Sequence, residues 1–397
     1  MLNPANFNLT VRKISNLLLF VGFFIIVLLV GSGRAATNST GKVQSATQNT
    51  LSGSEEFVTT SCKDNKNYDC YLAALKRLYD QKGPQETMST LNQLSQSNDT
   101  IKRDCHPYAH AIGHYSFDKI GNALKAFSYG STICASGYYH GVMEGFLTKV
   151  RNEHGDLKKE VVDLCDAKSD DTRFMQFQCL HGMGHGLTMY FNGDIMKSLP
   201  YCDSLKTSWD MQSCYGGVFM ENIVAKDTPG HQSLYLKADQ PEYPCNIVAE
   251  NYKFSCYYLI SSWFLQLTSY DYAKGFSMCD TVRSDFVWVC YQSMGRDISG
   301  ATLRNATESE KDCRLGKSQF YQDCIVGVVK DFANTTAGTS EPGHFCTLVD
   351  QNYKKTCYSA AGQIFHDLYS DKSKFDSSCV ELTKSEPEYK RNCLQES

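Results

Sequence analysis

The amino-acid sequence predicts an all-α protein, an α-solenoid of helix-hairpin repeats with a period of about 34 residues and intra-repeat disulfides. Two observations lead to this fold class. Cysteines recur in pairs at a steady spacing through the last two thirds of the chain. The segment after each second cysteine places small and large apolar residues at helical spacing.

The cysteine pairs define the repeat. Their second members lie 33 to 42 residues apart, and four consecutive pairs have the same spacing of 11 residues. Two helices of about a dozen residues, with their turns, fill about 34 residues, so each unit is predicted to be a helix hairpin. Its disulfide is expected to join the end of one helix to the start of the next. The seven pairs are Cys165 and Cys179, Cys202 and Cys214, Cys245 and Cys256, Cys279 and Cys290, Cys313 and Cys324, Cys346 and Cys357, and Cys379 and Cys393.

The four remaining cysteines are less determined. Cys105 and Cys134 both occupy the second-cysteine position, so they are expected to link neighbouring helices, while the connectivity of Cys62 and Cys70 stays open. Over roughly residues 60–393 the pattern resembles a disulfide-stapled relative of tetratricopeptide or Sel1-like helical repeats. The tryptophan, tyrosine and proline signature of tetratricopeptides and the full Sel1 glycine pattern are missing. The resemblance therefore implies an architecture and no function.

Residues 1–36 have the layout of a signal peptide or signal anchor. Arg12 and Lys13 precede 15 apolar residues at 17–31, and small residues follow around Ala35. If this segment is not cleaved, it is expected to tether the protein to the membrane. In either case the rest of the chain is predicted to be extracytoplasmic, secreted or anchored to the outer face of the cytoplasmic membrane. There its 18 cysteines can persist as disulfides.

The mature chain divides into a tether and one continuous array. Residues 37–60 are polar and are predicted to form a flexible tether. Residues 61–224 are assigned to N-terminal repeats that carry histidine and glutamate motifs, and residues 225–397 to C-terminal disulfide-stapled repeats, with an insertion at 225–244. A net charge of -4 gives no indication of a nucleic-acid partner, and a substrate or protein partner is not identifiable.

Three successive repeats carry a His-x-x-x-(His/Glu) pair in corresponding positions. The pairs are His106 with His110, His140 with Glu144, and His181 with His185. Residues four apart lie on one face of a helix, and the second helices of neighbouring repeats run side by side. These six side chains are therefore predicted to be ligands of one or two transition metal ions.

Two further residues are predicted to assist catalysis. Glu221 lies one position out of phase in the fourth repeat and is a candidate general base, and His114 lies one turn beyond His110. Since the cysteines are expected to be oxidised, the ligands are nitrogen and oxygen atoms, which suit zinc, copper, iron or manganese. Asp297, Asp331 and His366 are interpreted as solvated or capping groups.

Two functions follow from the motifs. The first is an exported metal-binding protein. If it is an enzyme, it is expected to be a metal-dependent hydrolase or oxidoreductase. Its logic is similar to that of deoxyhypusine hydroxylase, whose helical repeats contribute His-Glu pairs to a di-iron centre; that resemblance implies that repeats can build a dimetal oxygenase. The alternative is an interaction scaffold that binds a protein or glycan on its concave face, with structural histidines. Signatures of serine hydrolases, nucleotide-binding loops and His-Glu-x-x-His metalloproteases are absent from the sequence.

Overall fold

The structure, a computed structural model, describes residues 53–130, 133–134, 136–165, 173–224, 233–336 and 338–395. The predicted export signal, residues 1–36, and most of the predicted tether lie outside these ranges. The predicted end of the tether at residue 60 is wrong, because helix α1, Gly53–Ser61, already occupies this stretch and buries Val58. None of the helices in the described ranges combines the length and the apolar character that crossing a membrane requires.

The prediction of an all-α fold is confirmed, and the described ranges contain no β-strand. In the part of the chain that the structure describes, twenty helices follow one another and pack against their neighbours in chain order. They are α1 Gly53–Ser61, α2 Tyr68–Ser97, α3 Asp99–Arg103, α4 Cys105–Ile120, α5 Ala123–Phe127, α6 Gly137–Asn152, α7 Leu157–Leu164, α8 Arg173–Tyr190, α9 Ile195–Cys202, α10 Ser208–Val224, α11 Glu250–Tyr257, α12 Ser261–Leu267, α13 Tyr272–Cys279, α14 Val287–Ala301, α15 Ala306–Cys313, α16 Tyr321–Thr336, α17 Ser340–Leu348, α18 Lys354–Leu368, α19 Lys372–Leu382 and α20 Lys390–Leu394.

Each repeat is a hairpin of a shorter and a longer helix, as the cysteine spacing predicts. We call the longer members, α4, α6, α8, α10, α14, α16 and α18, the inner helices, and the shorter members, α5, α7, α9, α13, α15, α17 and α19, the outer helices. Most outer helices begin at an Asn or Asp whose side chain accepts a hydrogen bond from the first turn, a contact that stabilises a helix by about 1 kcal/mol. These caps are Asn122, Asp156, Asp194, Asp271, Asn305 and Asp371.

All 18 cysteines form disulfides, and the seven predicted pairs are confirmed. Cys105 bonds to Cys134, which links the region of α4 to that of α6 as expected, and Cys62 bonds to Cys70. A disulfide that closes a loop of about 11 residues stabilises a fold by roughly 3 kcal/mol in the chain-entropy model. Nine intramolecular disulfides indicate an oxidising, extracytoplasmic environment.

Glycines set the distance between pairs of inner helices. A Cβ atom on Gly113 of α4 would lie 1.9 Å from a backbone oxygen of α6, and a Cβ atom on Gly141 of α6 would lie 1.9 Å from a backbone oxygen of α4. No side chain fits in that space, so the two backbones touch. The same reciprocal contact recurs between α8 and α10, through Gly184 and Gly217, and between α14 and α16, through Gly295 and Gly327.

The array curves back on itself. Inner helix α18 packs against α16 and also against α8, which lies far earlier in the chain. The inner helices therefore enclose a central cavity. The predicted insertion interrupts the hairpin pattern: residues 225–232 lie outside the described ranges, residues 233–249 form turns, and the following inner position is split into α11 and α12.

Candidate metal centre

Four neighbouring inner helices, α4, α6, α8 and α10, bring the histidine motifs together. The glycines beside the histidines make this possible. Gly141 follows His140 and packs against the carbonyl oxygen of His110, and Gly217 packs in the same way against the carbonyl oxygen of His181. Because the backbones touch, imidazoles on adjacent helices face each other at short range.

The first members of the three motifs form a row. The ring centroids of His106 and His140 are 5.3 Å apart, and those of His140 and His181 are 5.7 Å apart. Nδ1 of His106 donates a hydrogen bond of 2.9 Å to the carbonyl oxygen of Cys134, which fixes the orientation of that ring. The register that the sequence motif predicts is therefore the register in which these helices pack.

The second members form a parallel row that contains two carboxylates. Nδ1 of His110 lies 3.5 Å from Oε2 of Glu144, and Nδ1 of His185 lies 2.7 Å from Oε2 of Glu221. The side chains of His185 and Glu221 are 3% and 4% exposed, so water does not screen their contact. A buried carboxylate on Nδ1 fixes the tautomer of an imidazole and directs its other nitrogen elsewhere.

Three of the six predicted ligands form a compact group. The ligand atoms of His140, His181 and His185 all lie within 4.8 Å of one another, and within the described ranges this is the one such group of three or more His, Cys, Asp or Glu side chains. All three residues are buried, and the rings of His140 and His185 stack with their centroids 4.1 Å apart. Such a group can bind a metal ion.

The separation of two nitrogens matches the geometry of a metal ion. Nε2 of His181 lies 3.3 Å from Nε2 of His185. Two nitrogen ligands at about 2.0–2.1 Å from a tetrahedral zinc ion are about 3.3 Å apart. Since Glu221 occupies Nδ1 of His185, it is the Nε2 atom of this ring that faces His181.

The surroundings of His140 and His181 favour the neutral imidazole, the form that binds metal ions. Burial, and then the neighbouring His185, hold the pKa of His140 well below its ordinary value. The same two causes lower the pKa of His181 to about 3, although a backbone hydrogen bond with Ser213 acts in the opposite direction. Nδ1 of His140 is buried and has no hydrogen-bond partner among the described residues. A buried polar atom of this kind is costly unless a ligand satisfies it.

The other predicted site residues flank this group. His106, His110 and Glu144 lie in the two rows but outside the group of three. Glu221 contacts a member of the group directly, which the sequence motif only suggested. His114 lies 3.2 Å from Asp118 on its own helix and is about one third exposed.

A cavity adjoins the group on the inner side of the array. It has a volume of about 370 Å³, and its walls include His140 and His181. Across it lie polar side chains of α14, α16 and the turn after α14. A second cavity of about 300 Å³ shares Phe177, His181 and five other residues with the first, so the two form one continuous groove. The polar residues across the first cavity are Arg296, Asp297, Arg304, Asp331 and Asn334.

The interpretation of Asp297 and Asp331 as solvated or capping groups is therefore wrong. Asp297 accepts hydrogen bonds from Ser261 and Ser262 and pairs with Arg296, and Asp331 accepts one from Ser299. Their recurrence seven residues after a cysteine was the sequence signal. His366 does lie at the surface, where it is nearly half exposed.

A smaller cavity of about 180 Å³ lies on the other side of the histidines. Glu144 and Glu221 both line it, together with Arg151 and Tyr190. The group of three histidines thus separates a groove that His140 and His181 line from a cavity that the two carboxylates line.

No protein-family model matches the chain, and neither the curated proteins nor the solved structures contain a significantly similar one.

Proposed function

We propose that this protein binds one transition metal ion through His140, His181 and His185 and acts outside the cytoplasm as a metal-dependent hydrolase. The observation that carries the proposal is the distance of 3.3 Å between the Nε2 atoms of His181 and His185, with the third imidazole within 4.8 Å. Two of these ligands also line the groove, so a bound ion would be in contact with a substrate there.

Zinc suits the ligand set best. All cysteines are in disulfides, so thiolate ligands are excluded, and three imidazoles with one open position are the ligand set of many catalytic zinc sites. Copper, iron and manganese accept the same donor atoms, so the analysis of metal content of the purified protein includes them. The sequence left a mononuclear and a dinuclear site open, and we favour a single ion because His110 and Glu144 are turned toward each other.

The residues around the ligands have separate roles in this proposal. A zinc ion with three histidine ligands lowers the pKa of a bound water to about 7, which supplies a nucleophile at neutral pH. We assign Glu221 the role of a positioning residue in place of the predicted general base, because its carboxylate holds His185 through Nδ1. Asp331 lines the same cavity as His140, and burial raises its pKa, so it is the candidate for proton transfer in this proposal.

The scaffold function remains the second candidate because of the groove itself. Phe177, Trp209, Phe254 and Tyr258 line the second of its two cavities, and aromatic side chains of this kind are common in ligand-binding pockets. In this alternative the contact between His181 and His185 is a hydrogen bond between two rings, and the groove binds its ligand without metal.

Metal-dependent turnover separates the two candidates. The purified, oxidised protein is stripped with a chelator and assayed against chromogenic carboxylic esters, phosphate esters and peptide anilides, before and after one equivalent of Zn²⁺ is restored. We expect turnover of one substrate class that disappears on stripping and returns with zinc. His181→Ala is expected to abolish it, whereas His154→Ala, at an exposed turn, is expected to leave it unchanged. Absence of turnover with every class in the zinc-loaded protein would favour the scaffold.

A further inference from the structure

The polar wall of the groove contains a cation in an unusual backbone position. Arg304 follows α14 and lines the cavity that His140 and His181 also line. Its φ angle is +61°, and that of Leu303 is +52°, so both residues adopt the left-handed conformation that disfavours side chains other than glycine.

The equivalent turns show that this conformation belongs to the repeat. After α8, α12 and α14, the third residue beyond the helix donates its N–H to the carbonyl oxygen five residues earlier, with distances of 2.7 to 2.9 Å. This residue is Gly193 in the first turn, the exposed Tyr270 in the second and Arg304 in the third. Glycine would fit the third turn without strain, but there the side chain of an arginine is directed into the cavity. Strained residues of this kind concentrate at functional sites.

The two arginines of the cavity differ in how their donors are used. Arg296 donates to Asp297 at 2.6 Å and to Ser262 at 2.7 Å, so its guanidinium is held by the protein. Nε of Arg304 is buried and has no hydrogen-bond partner among the described residues. The acidic groups that face these arginines are Asp297, which is paired with Arg296, and Asp331, whose pKa is raised by burial and lowered in part by the charges of Arg304 and Arg296. Arg304 therefore has donor capacity that an anion can use.

We propose that Arg304 binds an anionic group, a carboxylate or a phosphate, of a small substrate whose reacting bond lies toward His140 and His181. The position of the reacting bond rests on the proposed metal-dependent function, whereas the binding of the anionic group by Arg304 does not. A cavity of about 370 Å³ holds a small molecule or the terminal residue of a chain. Return of α18 to α8 encloses the groove, which agrees with a substrate of this size.

Binding of simple anions tests the inference directly. Inorganic phosphate is titrated into the full-length protein and followed by phosphorus NMR, and acetate is titrated separately and followed by proton NMR. We expect at least one of the two to bind, and Arg304→Ala to raise its Kd about tenfold or more, as expected for the loss of a hydrogen bond to a charged group. The Kd of the Arg304→Lys variant is expected to lie between those of wild type and Arg304→Ala. The anion that binds more tightly identifies the substrate group.

Matched variants keep the result interpretable. Arg314→Ala removes an arginine that pairs with Glu310 and Asp350, outside the cavity, and is expected to leave anion binding unchanged. His181→Ala tests the metal: if it abolishes metal binding but anion binding persists, Arg304 is the anion site. An anion that binds equally well to wild type and Arg304→Ala, or that is lost only with His181, overturns the inference. If neither anion binds to wild-type protein that circular dichroism shows to be folded, the inference is also overturned.

Discussion

Nδ1 of His185 lies 2.7 Å from Oε2 of Glu221, and the two side chains come from adjacent inner helices. This buried contact joins α8 to α10 and turns Nε2 of His185 toward Nε2 of His181. A carboxylate behind a histidine ligand orients the ring and raises its basicity. The arrangement links helix packing to the chemistry of the site, because the backbones of α8 and α10 touch at Gly184 and Gly217.

Glu221→Gln is expected to weaken metal binding about 10- to 100-fold, since loss of a carboxylate partner behind a ligand typically has an effect of this size. The amide keeps the volume but loses the charge. The Kd for Zn²⁺ is measured by competition with a chromophoric chelator. Glu310→Gln is the control, because Glu310 pairs with Arg314 in the C-terminal repeats. Equal zinc affinity in wild type and Glu221→Gln would contradict the role given to this carboxylate.

Gly217→Ala is expected to destabilise the fold and to weaken metal binding. Its Cβ atom would lie 1.9 Å from the carbonyl oxygen of His181, a backbone atom that yields only if α8 and α10 separate. We expect a loss of about 1–3 kcal/mol in the free energy of unfolding, as for other overpacked sites. Gly300→Ala is the matched control: nothing lies within 4 Å of its Cβ, and the change should be neutral or stabilising by up to about 1 kcal/mol. Denaturant unfolding of both variants decides, and equal stabilities would refute the packing argument.

The disulfide between Cys313 and Cys324 is expected to stabilise the fold without supporting the metal site. Replacing both cysteines by serine removes the cross-link of an 11-residue loop and should cost about 3 kcal/mol. Metal content should not change, because the ligands belong to α6 and α8 and this disulfide joins α15 to α16. Thermal unfolding and metal analysis of the same sample provide both readings. A loss of metal at a temperature where the variant stays folded would show that the site depends on the distant repeats.

Asp323→Asn is expected to change how stability depends on pH. Burial raises the pKa of Asp323 to about 6, above the value of about 4 expected in the unfolded chain. The folded state therefore binds more protons between these values, and this residue makes the protein less stable as pH rises from about 4 to about 6. The asparagine variant lacks this loss, so its Tm relative to wild type should be higher at pH 7 than at pH 4. A difference in Tm that does not vary with pH would contradict the assignment.

The repeat architecture and the register of the histidines could be predicted because both are local. Cysteine spacing fixes the hairpin, and a His-x-x-x-(His/Glu) pair occupies one face of a helix in each of three successive repeats. Helices of adjacent repeats then place His106, His140 and His181 in a row. The pairing of Cys105 with Cys134 follows from the same regularity.

What the sequence could not predict depends on ring orientation and on long-range curvature. The sequence pattern made six side chains equivalent as predicted ligands. In the structure Glu144 turns toward His110, while Glu221 turns His185 into the group of three. The opposite wall of the groove exists because α18 returns to α8, a contact between residues nearly 200 positions apart. Asp331 recurs seven residues after a cysteine, but its place beside Arg304 in the groove, like that of Arg304 itself, becomes visible only in the folded array.

The metal content of the purified, oxidised protein tests the central claim most directly. It is measured by plasma mass spectrometry for wild type and for His181→Ala/His185→Ala, after growth with added zinc, copper, iron and manganese. The account predicts about one equivalent of a single transition metal in wild type and none in the variant, while circular dichroism shows that the variant keeps its helices. Wild-type protein without bound metal, or a variant that retains the same amount, would contradict the account and leave the groove as a metal-free binding surface.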